Sequence, residues 1–154
     1  MKVVLQRVLG ARVTVAGRAI GKIEQGLLIY LGVSATDEPE DVSWLVEKIA
    51  NLRMFDEAGD GETKTTLSIK EIGGSALVIS QFTLLADARR GRRPSFSAAA
   101  APAQANELYQ RFVQELGGHL PVQTGEFGAD MQVSSVNEGP FTLVLEHPNP
   151  GGPA

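Results

Sequence analysis

The sequence predicts a mixed α/β fold built as one domain, and three observations carry that reading. Residues 2–33 come as short apolar bursts separated by glycine, the pattern of strands joined by tight turns. Two later stretches place apolar residues three and four apart, as on one face of a helix. Two further runs, Leu27–Leu31 and the start of Ser75–Leu85, are almost continuously apolar, which suits strands covered on both faces. At 154 residues the chain fits a single core, and no repeat or long linker divides it.

Taken in order, Lys2–Val8, Arg12–Ala16, Arg18–Ile23 and Gly26–Val33 are the early strands, with Gly17 expected in a hairpin turn. The stretch from Thr36 to Val42, acidic and carrying Pro39, has the composition of a helix start. Val42, Leu45, Val46, Ile49 and Leu52 then share one face of a helix over residues 40–53. A turn over Asp56–Glu62 leads to a short strand near Thr66–Ile69. Ser75–Leu85 reads as a strand that gains the polar residues Ser80, Gln81 and Thr83 toward its end. Pro102 suits the first turn of a second helix. Ala105, Leu108, Tyr109, Phe112, Val113 and Leu116 form its buried stripe, and Gly117-Gly118 stop it. Two strands close the chain, near Met131–Val136 and Pro140–Glu146. Gly139-Pro140 heads the last one, where a residue without a main-chain donor belongs. Residues 147–154, with three prolines and no apolar face, are expected to form a mobile tail.

Composition narrows the function. The chain has no cysteine, which removes disulfides and thiolate chemistry. Its N-terminus is interrupted by Gln6 and Arg7 and lacks the apolar core of a signal peptide. No apolar run nears the ~20 residues of a membrane span. A soluble, cytoplasmic protein with no membrane partner is expected. The net charge of −4 argues against a general nucleic-acid coat, yet four of the 14 basic residues fall in Arg89-Arg90-Gly91-Arg92-Arg93. Charge so concentrated suits a small contact with phosphate.

Several motifs fail on inspection. Asp56, Asp60 and Gly61 superficially resemble a calcium loop, but Ala58 and Leu67 stand where that loop needs ligands. His119 and His147 lie after a helix and in the tail, away from any nucleophile. Gly73-Gly74-Ser75 lacks the lysine of a phosphate-binding loop. No metal and no cofactor are expected. Ser80-Gln81-Phe82-Thr83 is different, because the carboxyl ends of buried strands are favoured ligand positions in open α/β sheets.

Together these pieces resemble the D-aminoacyl-tRNA deacylase family from Met1 to about Glu146. The likeness lies in L-Q-R-V, A-R-V-T-V, G-L-L-I-Y-L-G-V, S-Q-F-T-L, R-R-G-R-R-P-S-F-S, Q-T-G-E-F-G-A-D-M and N-E-G-P-F-T-L, in this order. The resemblance implies a three-layer α/β/β domain over residues 1–146, with mixed, largely antiparallel sheets and two main helices. It implies a homodimeric hydrolase that removes D-amino acids, with glycine a further possible substrate, from the tRNA 3′-terminal adenosine. The active site then lies at the subunit interface. Ser80, Gln81, Phe82 and Thr83 form the pocket floor of one subunit, and Gly139-Pro140 enters from the partner with a cis bond between them. Their main chain rejects an L side chain by clash, a sieve indifferent to which amino acid it meets. Arg7 matches the arginine that orients the pair. Phe127 and Met131 match pocket walls around the terminal adenosine, and Arg89, Arg90, Arg92 and Arg93 meet acceptor-stem phosphates.

The same resemblance implies catalysis without a side-chain nucleophile. Main-chain N–H groups near Phe82 and Thr83 hold the carbonyl, and the adenosine 2′-hydroxyl assists. The rival has Thr83 as nucleophile, although a threonine hydroxyl is weak without a neighbouring base. The chain departs from the family pattern at Lys64-Thr65-Thr66-Leu67 and in its added tail. A different class of function, a non-catalytic nucleic-acid-binding module on the same scaffold, also accommodates the arginine cluster.

Overall fold

The computed structural model describes residues 1–57 and 64–148. Strand β1 (Lys2–Val15) runs unbroken for 14 residues, where the sequence suggested two strands. Gly10 does not stop it, because Leu9 is accommodated as an extra residue opposite the Val136–Asn137 step. A bulge of this kind shifts the in–out alternation by one. Val3 and Leu5 therefore face one core, while Val8, Ala11 and Val13 all face a second. The chain turns at Ala16-Gly17, both at positive φ, as a two-residue hairpin requires. Strand β2 (Arg18–Ile23) then pairs back antiparallel.

Strand β3 (Gly26–Gly32) pairs antiparallel with the first half of β1. Helix α1 (Pro39–Asn51), β4 (Arg53–Asp56) and β5 (Thr65–Ser68) carry the chain over to β6 (Ser75–Ser80), which lies parallel to β3. Helix α2 (Pro102–Gly117) makes the next crossover, to β7 (Val122–Thr124), parallel to β6. Parallel neighbours need such long connections. Strand β8 (Met131–Glu146) finally runs antiparallel along the whole of β1. The short strands β4 and β7 were not expected; β4 takes over at Arg53, so α1 ends at Asn51. The turn expected over Asp56–Glu62 falls mostly on residues 58–63, outside the described residues.

The layering follows from the alternation. Leu27, Ile29, Leu31, Ala76 and Val78 face the apolar stripes of α1 and α2, including Leu45, Ile49, Leu108 and Phe112. Leu28, Leu77 and Ile79 face the opposite way, onto Val8, Val13 and Ile23. Strand β2 curls across β7 so closely that a Cβ on Gly21 would lie 2.6 Å from the Thr124 carbonyl oxygen. The two β layers are thus halves of one curled sheet, with β4–β5 as a separate small ladder.

The ends of the chain are tied together. The Met1 ammonium is buried against Asp37 at 2.6 Å and also donates to the His147 carbonyl. His147, expected in a mobile tail, instead stacks on Trp44 at 3.9 Å and stands 3.4 Å from Asp41. Residues 149–154 of that tail lie outside the described residues. Among the described residues, no helix is long and apolar enough to cross a membrane.

Candidate active site

Strand β6 stops at Ser80 instead of running to Leu85. The Gln81 N–H makes the last bond across to β3, donating to the Leu31 carbonyl at 2.8 Å. Leu84 and Ala86 then donate back to Gln81 and Thr83, forming a 3₁₀ turn over Phe82–Leu85. The first N–H groups of such a turn, on Phe82 and Thr83, have no acceptor within it. Both residues are exposed. The Gln81 side-chain amide donates to the Thr83 hydroxyl oxygen. That oxygen has no histidine or carboxylate partner among the described residues.

The arginine loop is rooted on the same floor. Phe96 packs edge-on against Phe82, with ring centroids 5.1 Å apart. Main-chain bonds of 2.8 and 2.9 Å between Asp87 and Ser95 close the loop. Arg89 grips the Asp87 carboxylate through Nε at 2.9 Å and Nη2 at 2.7 Å. Those hydrogen bonds hold the Asp87 carboxyl well below the usual range. Arg90, Arg92 and Arg93 are exposed and join no ion pair among the described residues. After the loop, Ala98 and Ala100 bond Ala35 and Val33 at the end of β3. Loop and floor therefore share the carboxyl ends of β3 and β6, where open sheets bind ligands.

Phe127 and Met131 flank this end of the sheet from opposite faces. The Gly125 N–H bonds the Val78 carbonyl at 3.2 Å, bringing the segment after β7 alongside β6. Phe127 lies on the helix side, 6.0 Å from the ring of Tyr109. The Tyr109 hydroxyl donates to the Val78 carbonyl at 2.9 Å, and burial pushes its pKa up to about 12. Met131 packs with Val133 on the second core, its sulfur against Gly125.

Gly139-Pro140 stands elsewhere, and not at the head of a strand. β8 is one strand of 16 residues, where two were expected. Thr142 pairs with Gln6 and Asn137 with Val8, so Glu138–Phe141 bulge out opposite Arg7 alone. An edge strand tolerates such an excursion because only one neighbour loses its bonds. The Gly139-Pro140 peptide bond is cis. Both residues are exposed, and a Cβ on Gly139 would meet nothing within 4 Å.

The bulge is held from below. Arg7 is only 5% exposed. Its Nε donates to the Glu138 carbonyl at 3.3 Å, and Nη1 donates to the Met54 carbonyl at 2.8 Å and to Asp56 Oδ2 at 3.2 Å. Its guanidinium carbon sits 4.3 Å from the Phe141 ring centroid, a cation–π contact. The Asn137 side-chain amide donates across the bulge to the Arg7 and Phe141 carbonyls, at 2.9 and 3.3 Å. Asn137 and Phe96 were not singled out from the sequence, and Asp56 was weighed there only as part of a calcium-like turn, not as a partner of Arg7. Asn137 was visible inside N-E-G-P, but its span across a bulge has no signature in local spacing.

Within one chain the two groups do not meet. β1 and β3 lie between β8 and β6, and Arg7 pairs with Leu27 whereas Ser80 pairs with Leu31. With strands about 4.8 Å apart and about 3.3 Å per residue, the gap is roughly 20 Å.

Comparison with known proteins bears on this geometry. A family model described as D-Tyr-tRNA(Tyr) deacylase matches residues 4–146. A protein of Thermosipho africanus named D-aminoacyl-tRNA deacylase is 52% identical over 147 residues, spanning 95% of this chain and 97% of the relative. One of the same name from Chloroherpeton thalassium is 51% identical over 150 residues, spanning 96% and 97%. Among solved structures, a c-Myc DNA unwinding element binding protein superposes with a TM-score of 0.88 at 38% identity, covering 96% of this chain and 99% of that one. A probable eukaryotic D-amino acid tRNA deacylase gives 0.81 at 18% identity, covering 94% and 97%, a likeness of fold.

Proposed function

The chain belongs to the D-Tyr-tRNA(Tyr) deacylase family, and we propose that it hydrolyses the ester joining a D-amino acid to the tRNA 3′-terminal adenosine in a site completed by a second copy of itself. The observation that carries the reading is the separation just described. A floor with free N–H groups and an outward bulge carrying Gly139-Pro140 lie roughly 20 Å apart by strand count, so a second subunit is what brings one to the other. Exposed Leu9 and Val136 beside the bulge, and Phe82 on the floor, supply apolar surface for that contact.

In this site water attacks the ester carbonyl. The Phe82 and Thr83 N–H groups stabilise the developing oxyanion, and the 2′-hydroxyl of the adenosine assists as the 3′-oxygen leaves. Gln81 orients the Thr83 hydroxyl. Because that hydroxyl oxygen accepts a hydrogen bond and faces no base, it is poorly suited to act as a nucleophile. Thr83→Val is expected to retain deacylation within about tenfold, the scale of one lost hydrogen bond; complete loss would identify Thr83 as the nucleophile. Phe127 and Met131 flank the adenosine. The exposed arginines meet acceptor-stem phosphate. The main chain of Gly139 and Pro140 rejects L substrates by clash, which leaves glycine, without a side chain, acceptable. Action on charged tRNA places the enzyme in the cytoplasm.

The test is a paired assay, with D-tyrosyl-tRNA and L-tyrosyl-tRNA at equal concentration and loss of the ester followed over time. Hydrolysis of the D form alone is expected. Hydrolysis of both would keep the hydrolase and remove the sieve. A second reading, a nucleic-acid-binding module without turnover, is favoured by the name of the 38% identical structure. Salt-dependent RNA or DNA binding with both esters intact would establish it instead.

A further inference from the structure

We propose that Asp56 is a positioning residue of the Gly139-Pro140 bulge, and that the β4–β5 hairpin, through Asp56 and Thr65, sets how strictly D and L substrates are separated. The proposal rests on the reading of that bulge as the sieve.

The observation is an unbroken relay between two separate sheets. The Thr65 hydroxyl donates to Asp56 Oδ1 at 2.6 Å. Asp56 Oδ2 accepts from Arg7 Nη1 at 3.2 Å. The same guanidinium donates through Nε to the Glu138 carbonyl, one residue before Gly139. Arg7 thus stands between two carboxylates, Asp56 on the hairpin side and Glu138 on the bulge side, at 3.2 and 3.3 Å. The planar guanidinium transmits orientation as well as charge, since its donors leave in fixed directions. With Asp56 absent, the Met54 carbonyl alone among the described residues of the hairpin opposes the pull of Glu138, and the ring-facing position over Phe141 is no longer fixed from both sides. Thr65 lies in Lys64–Leu67, where the chain departs from the pattern it otherwise follows. Here a hydroxyl fixes the Asp56 rotamer.

A sieve made of main chain works only while its position is fixed. Displacement of the order of 1 Å at a reacting centre costs about a hundredfold in rate. For a clash it acts in the opposite sense and admits the excluded isomer. A loosened bulge therefore raises the L rate more than it lowers the D rate.

The experiment compares wild type with Asp56→Ala, Thr65→Val and the control Thr66→Val, whose hydroxyl, among the described residues, donates to exposed Glu57 at 3.2 Å. Two readouts are taken: D- and L-tyrosyl-tRNA hydrolysis, and amide hydrogen exchange at Glu138, Gly139 and Phe141. Asp56→Ala is expected to lower the D/L ratio about tenfold, the scale of a hydrogen bond to a charged group, chiefly through a faster L reaction. Thr65→Val is expected to lower it about threefold, a smaller change because the carboxylate remains. Both should speed exchange at the bulge, and Thr66→Val should do neither. A folded Asp56→Ala whose two rates fall in proportion, leaving the ratio unchanged, overturns the proposal. If Asp56→Ala does not fold, an unchanged ratio in Thr65→Val overturns it equally. Should wild type hydrolyse neither ester, the proposed function fails, and the exchange data alone decide the relay: unchanged exchange in both variants overturns it.

Discussion

Glu138–Phe141 and Ala88–Pro94 are both excursions from regular structure, and they are held in opposite ways. The first is a bulge of four residues anchored by a buried guanidinium, two main-chain acceptors, an asparagine amide and an aromatic ring. The second is a surface loop closed at its base by one pair of residues and capped by an exposed ion pair. Exposed ion pairs contribute little to stability. The difference matches what each is proposed to do. A main-chain sieve acts through position, so it sits on a rigid support. A phosphate contact acts through charge at range, so it tolerates motion.

The comparison can be broken most sharply at Gly139. Gly139→Ala puts a methyl into open space in the single chain, so the unfolding midpoint should stay at its wild-type value. Where a substrate fills that space, D-tyrosyl-tRNA hydrolysis should fall about a hundredfold. Full activity in a folded variant would show that nothing approaches Gly139 during catalysis. The loop should behave differently. Replacing Arg90, Arg92 and Arg93 by glutamine together should flatten the dependence of log affinity on log salt by about 2 to 3. Hydrolysis of D-tyrosyl-adenosine, which has no acceptor stem, should be unchanged. An unchanged salt slope would remove the loop from the tRNA contact.

Smaller effects sharpen the same contrast. Asp87 has a folded pKa below its unfolded value. Whatever it adds to loop closure is therefore present above the unfolded value and lost only as pH falls through the folded one. Affinity for tRNA measured between pH 5 and 8 should show no step from this pair. Tyr109 has the opposite sign. Its folded pKa lies above the unfolded value, so its contribution is complete below pH 10 and lost between about 10 and 12. Tyr109→Phe should cost about 1 kcal/mol at neutral pH for the bond to Val78 and reduce the alkaline loss. Tyr30, whose pKa burial also raises, should leave a residual slope. An unaltered alkaline profile in Tyr109→Phe would place that loss elsewhere.

Much of this was legible in the sequence because burial leaves a period. The stripe Val42–Leu45–Ile49 and its counterpart in α2 identify helices without reference to any relative, and Leu27–Leu31 shows its covered position by being apolar throughout. Element ends were less legible. The apolar run to Leu85 looks like strand, yet its register with β3 is complete at Ser80 and a 3₁₀ turn uses the remaining residues. Leu9 and Glu138–Phe141 are bulges set by the partner strand, and alternation along one strand cannot announce them. The residues of the site came from motif likeness. So did the pairing of Arg7 with Gly139-Pro140; what likeness did not supply is the support behind Arg7, since its grip on Met54 and Asp56 joins positions 47 and 49 apart.

The gap between floor and bulge has a consequence in the arithmetic of assembly. If each catalytic centre takes its floor from one chain and its sieve from the other, damage to either element is confined to the centre that uses it. A chain spoiled at Gly139 and a chain spoiled in the 81–83 turn would each form only dead pairs with themselves. Mixed and allowed to exchange partners, they would build pairs in which one centre inherits both lesions and the other inherits none, so activity would return from two inactive parents.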